Sequence, residues 1–143
     1  MATLSDLWQP AAILYPDAEL AAINGARQLM DGLGVAVIGR ELPATTTTAI
    51  LFNRVGGRDP DALMQVRVFA PTAYTVTTLA RELAARLPLL PRLHVGIVAV
   101  DQNEGPTDLG DVPGHGPMRQ LMYDFTLQGR SVTTTQGDSQ NEH

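Results

Sequence analysis

The sequence predicts an α+β domain: a largely antiparallel sheet with a projecting β-hairpin, and two helices packed on one face. Three observations predict it. Two stretches carry apolar residues three and four apart, Leu20 to Leu33 and Val76 to Leu87, the repeat of an amphipathic helix. The segment from Thr48 to Ala70 reads as two strands folded back on each other at Gly56-Gly57. Between Met118 and Arg130, apolar and polar residues alternate with the period of two that marks a half-buried strand. The resulting order, helix, strand, hairpin, helix, strand, strand, contains no regular βαβ alternation and no internal repeat.

Taken in order, residues 1–15 form an N-terminal arm. Leu4, Leu7, Trp8, Ile13 and Leu14 make it apolar enough to dock on its own domain or on a neighbour, while Pro10 prevents one long helix. The domain proper spans 16–131. Pro16 suits a helix first turn, with Asp17 and Glu19 near the positive end of the helix dipole. Leu20, Ile23, Ala26, Met30 and Leu33 form the predicted stripe, and Gly32 with Gly34 stops the helix. Val35 to Ile38 is a short strand. Arg40 to Thr47, with Pro43 and the threonine run Thr45 to Thr48, reads as a loop into the hairpin.

In the second hairpin arm, Met64, Val66, Val68 and Ala70 fall on one face and Leu63, Gln65, Arg67 and Phe69 on the other. Pro71 and Thr72 lead into a second helix from about Ala73 to Leu87, with Val76, Leu79, Ala80, Leu83 and Leu87 inward and Pro88 and Pro91 ending it. Leu93 to Val100 is a continuous apolar run of buried-strand type. Asp101 to Pro117, rich in glycine, proline and acid, reads as a long loop. In the last strand Leu121, Tyr123, Phe125 and Leu127 face the core; Gln65, Arg67, Met122, Asp124 and Gln128 make the other sheet face a mixed surface suited to partners. From 132 to 143 the composition turns polar, too poor in apolar area to order by itself.

Composition limits the chemistry. The chain has 143 residues, one domain's worth, with 44% hydrophobic and 17% charged residues. No run approaches the roughly 18 apolar residues of a membrane span, and Met1 to Pro10 lacks the basic start and apolar run of a secretory signal, so no membrane role is expected. The absence of cysteine excludes disulfides, zinc-thiolate sites and thiol nucleophiles. The net charge is −5, and all ten basic residues are scattered arginines, which argues against gripping a phosphate backbone.

Few residues suit catalysis. His94 starts a buried-looking strand and reads as structural; His115, between Gly114 and Gly116, reads as an exposed loop tip; His143 lies in the tail. Neither His94 nor His115 accompanies a nucleophile elbow. Asp101, Asn103 and Glu104 begin like an oxygen-ligand loop, but the twelfth position holds Val112 where a calcium loop needs glutamate. Gly56-Gly57 opens no helix and no lysine follows, so it is a turn and not a phosphate cradle. No enzyme activity, metal or cofactor is expected. The residues singled out for partner contact are instead Arg54, Gly56, Gly57 and Arg58 at the hairpin tip, suited to bidentate contact with carboxylates, and Asp101, Glu104, Asp108 and Asp111 in the acidic segment.

The order of elements, the loop containing Gly105-Pro106 and Leu109, and a final strand with Arg119, Tyr123, Phe125, Leu127, Gly129 and Arg130 resemble the tail terminator proteins of long-tailed bacteriophages, particularly those of actinobacterial hosts. The resemblance runs from about Pro16 to Arg130. It implies a structural protein of the virion neck, assembled in the host cytoplasm. Such proteins form a homohexameric ring that caps the tail tube protein, halts tube polymerisation and presents its other face to the head-completion or stopper protein. DNA would pass through the lumen without specific binding. The alternatives are another neck component, such as a head-tail stopper, and a small ligand-binding α+β domain that uses the open sheet face.

Overall fold

A computed structural model describes residues 11–45 and 48–133. The sheet consists of β2 (Val37–Gly39), β3 (Ala49–Gly56), β4 (Asp61–Phe69), β5 (Ile97–Val112) and β6 (Gly116–Leu127), in the order β2-β3-β4-β6-β5. All neighbours run antiparallel except β2 and β3, which pair in parallel from Val37↔Ala49 to Gly39↔Leu51. Two helices, α1 (Ala18–Leu29) and α2 (Ala73–Arg86), cover one face, so the α+β class is as the sequence predicts. A separate two-stranded ribbon joins β1 (Ala11–Leu14) to β7 (Arg130–Thr133). Among the described residues no helix is long and apolar enough to cross a membrane.

Alternation along the strands sets the core. Ile50 and Phe52 of β3, Ala62, Met64, Val66 and Val68 of β4, and Leu121, Tyr123, Phe125 and Leu127 of β6 point toward the helices and are buried. Each large aliphatic or aromatic side chain so buried contributes about 1.5–3 kcal/mol relative to exposure. From α2 the stripe Val76, Leu79, Ala80 and Leu83 meets this surface, as its spacing predicts. Thr72 caps the helix, its hydroxyl accepting from the Thr75 amide at 3.1 Å.

Helix α1 differs from its predicted stripe. Leu20 is 48% exposed and Leu33 lies beyond the helix, whereas Ala18, Ala21, Ala22, Ile23 and Ala26 are buried. Apart from Ile23 the buried side is made of small residues, so this helix lies close to its neighbours; a methyl added to Gly25 would overlap Leu90. Asp17 is the cap, its Oδ1 accepting from the Leu20 amide at 3.0 Å.

Three predicted boundaries change. Pro88 and Pro91 do not end the helical chain after α2: a 3-10 turn (Leu87–Leu89) and a short helix α3 (Leu90–Leu93) follow, each with proline in its first turn, where no amide donor is missed. Leu87 and Leu90 are thereby fully buried. The segment from Asp101 to Val112, predicted to be a loop, is strand: β5 runs along β6 from Ile97↔Leu127 to Val112↔Gly116. Its glycines and Pro106 are absorbed by four register irregularities on an edge strand, where one side of the backbone has no partner to satisfy. Finally, Val132 and Thr133 belong to β7, paired with Ala12 and Ala11, so the ordered chain extends past the predicted boundary at 132. The rest of the arm, Met1 to Pro10, and of the tail, 134–143, lie outside the described residues, as do Thr46 and Thr47.

Candidate interaction surfaces

The hairpin tip is positioned by β3 and β4, and it does not project. Strand β4 is paired with β3 on one side and, from Asp61↔Thr126 to Phe69↔Met118, with β6 on the other, so the ribbon lies in the middle of the sheet. Gly56 pairs with Leu63 across a bulge, and Gly57 sits at φ +85° against the Asp61 carbonyl.

Arg54 is turned inward on the turn. Its guanidinium donates to the carbonyls of Gly56 (3.3 Å), Gly57 (3.4 Å) and Asp61 (2.9 Å) and pairs with Asp59 at 3.1 Å. Its backbone amide donates to Glu19 Oε2 at 2.7 Å. Glu19 in turn meets Arg40 at 2.6 Å, and Arg40 reaches Asp17 at 2.8 Å. A chain of charges thus ties the start of α1, the loop after β2 and the hairpin turn together. The Leu20 amide and then the Arg40 guanidinium hold the Asp17 carboxyl below its ordinary range. Of the predicted tip cations, Arg58 is exposed and its side chain makes no hydrogen bond or ion pair among the described residues. Arg54 is therefore not a free cation at the tip, because turn carbonyls and Asp59 take four of its five N–H donors.

The acidic residues lie on the outer strand. Asp101 stands opposite Asp124, Glu104 opposite Met122 and Asp111 opposite Pro117. Asp108 is engaged: it pairs with Arg119 at 2.9 Å and accepts from the Gly110 amide at 2.8 Å. Asn103 donates to Asp124 at 2.8 Å, offsetting the like-charge pair. Among the described residues Asp101, Glu104 and Asp111 are exposed carboxylates without a cationic partner, and β5 itself contains no basic residue. Extended as they are along a strand, these acids do not converge; among the described residues no group of three acids or histidines could hold a metal ion.

The two described histidines sit at opposite ends of β5. His94 Nδ1 accepts from the Gly96 amide at 3.0 Å, a local turn contact. His115 is half-buried, not an exposed tip: its ring meets Phe69 edge-on at 6.2 Å. Phe69 belongs to a small second cluster with Ala49 and Leu51, against which Val37, Leu42, Val112 and Met118 pack. This cluster covers one end of the sheet face that carries no helix.

The remainder of that face is polar. Asn53, Gln65 and Met122 fall in one cross-strand row, and Leu51, Arg67 and Gln120 in the next. Gln65 Nε2 donates to Gln120 Oε1 at 3.0 Å. Arg67 is half-buried, its Nε is shielded from solvent, and among the described residues that nitrogen has no hydrogen-bond partner. Sequence patterning places Arg67 on the mixed face but gives no sign that the group is left unpaired. The missed members of the tip network, Arg40 and Glu19, carry no signal either, since their meeting depends on how α1 crosses β3. No family model and no curated protein matches the chain, so its surfaces alone speak for what it contacts.

Proposed function

We propose that the chain is a non-catalytic assembly protein of a long-tailed bacteriophage, a tail terminator whose six-membered ring caps the tail tube and joins it to the head-completion proteins. In this reading it resides in the neck of the virion, and DNA crosses its acidic ring without being gripped. One observation carries the reading: both long helices lie on the same sheet face, leaving a row of amides, Met122 and Arg67 half-exposed on the other. The β1–β7 ribbon adds Ile13 and Leu14, 50% and 46% exposed, beside the sheet. Such surfaces suit head-to-tail contacts, which close into rings when the rotation allows.

Native mass spectrometry of the protein, alone and mixed with tail tubes, tests this reading. A six-fold ring is expected on the tubes, and particles made without the protein should show overlong tails lacking heads. A strictly monomeric stoichiometry at the tube end would overturn it.

A further inference from the structure

The face opposite the helices holds one arginine, with exposed Asp124 two rows away, and the outer edge of the sheet holds a run of acids. Among the described residues, Arg67 is the one cation in the rows of β3, β4 and β6 side chains on that face. A guanidinium stays charged at any physiological pH, and a shielded donor without an acceptor costs free energy. Its cross-strand neighbours are Leu51 and Gln120, and Gln120 already accepts from Gln65; no carboxylate stands beside it. Two strands away, β5 offers exposed Asp101, Glu104 and Asp111 with no basic residue on the strand. Within one molecule these groups are separated by the width of β6.

We propose that Arg67 receives a carboxylate from the β5 edge of a second copy of this chain, with Glu104 or the neighbouring Asp101 as the acceptor. Each copy has one arginine-bearing face and one acidic edge, and they are different surfaces. The contact is therefore head-to-tail, and each copy uses both once when a ring closes. The planar guanidinium fork takes a carboxylate through two parallel bonds, and the surrounding Gln65 and Gln120 amides can bond the backbone of the incoming strand. This proposal rests on the assembly reading above and names the contact that reading requires.

The test uses the full chain, in three forms. Arg67→Glu and, separately, the double change Asp101→Arg with Glu104→Arg should each weaken self-association about 30-fold or more by sedimentation or native mass spectrometry, the usual effect of removing one partner of a desolvated pair. Mixing the two variants should restore association, because alternating copies bring native Arg67 of one against the native acids of the other and the two reversed surfaces against each other. Because Asp101 and Glu104 are exposed, the double variant should melt like the parent, which separates a lost contact from a lost fold. Arg67→Gln, which keeps much of the side-chain length and an amide donor, serves as the second check on folding. If Arg67→Glu forms rings as the parent does, the contact is wrong while the ring reading stands. If both variants lose association and the mixture fails to recover it, charge pairing between these surfaces is overturned. If the parent itself never associates, even on tail tubes, both readings fall.

Discussion

Replacing Gly105 with alanine tests whether β5 is held as a strand by close approach to β6. Gly105 lies at φ +96°, and a methyl there would fall on the carbonyl oxygen of Gln120 and 3.0 Å from the Leu121 Cα. Those neighbours are backbone of the strand that anchors the core, so they cannot swing away as a side chain tip would. Two costs add. The left-handed backbone of a residue with a side chain costs about 1–2 kcal/mol. Relieving the overlap by distorting angles and peptide planes costs about 2–3 kcal/mol more. Gly110 supplies the control on the same strand: its φ is +81°, yet a methyl there meets nothing within 4 Å, so only the first cost applies. For a domain of this size the melting temperature should fall by about 10–20 °C for Gly105→Ala and about 3–8 °C for Gly110→Ala. Thermal unfolding by circular dichroism reads both, and amide hydrogen exchange shows whether β5 peels from β6 first. Equal losses from the two changes, or a larger one at Gly110, would refute the close-approach argument.

Other expectations follow from single groups. Arg54→Glu should destabilise the domain by about 1–3 kcal/mol, because it strips bonds from three turn carbonyls and Asp59, while Arg58→Glu should leave the melting temperature unchanged. Similar losses from both would mean the Arg54 network contributes nothing. Asp17→Ala should cost about 1 kcal/mol as a lost helix cap. Since the folded-state pKa of Asp17 lies below its ordinary 3.8, the charge-dependent part of this stabilisation is present above that pH and drains as the pH falls below it. Denaturant titrations of parent and Asp17→Asn should therefore converge in acid; a gap that widens there would reverse the sign. Tyr123→Phe should keep or raise stability by about 1 kcal/mol, because the buried hydroxyl has no partner among the described residues. Burial pushes the Tyr123 phenol up to about 12 from 10.0, so the parent holds its proton when the unfolded chain has lost it. Stability is full below pH 10 and falls as the pH rises toward 12. The phenylalanine variant should lack this alkaline loss, as alkaline denaturation would show.

What the sequence determined by itself was whatever depends on local period. The alternation Leu121, Tyr123, Phe125, Leu127 and the stripe Val76, Leu79, Ala80, Leu83 each give a face before any partner is known, and all eight residues are buried where those faces predict. Thr72 as a cap is local in the same way. Tertiary structure decided what depends on distant chain. The segment from Asp101 to Val112 has the composition of a loop, and it becomes strand only because β6 supplies a ladder along one side while solvent accepts the acids on the other. The buried side of α1 is mostly alanine, and Leu90, from the short helix α3 whose prolines alone suggested a break, comes close enough that a side chain at Gly25 would overlap it. Arg54 and Arg67 look alike in sequence, both on strands of one hairpin. Arg54 ends beside carbonyls that the turn aims at it, and Arg67 lies between Leu51 and Gln120 on a sheet face with no acceptor for its Nε. Which arginine is spent inside the molecule and which keeps an unbonded Nε is fixed by the pairing of β3 and β6 on either side of β4, an arrangement that no local pattern encodes.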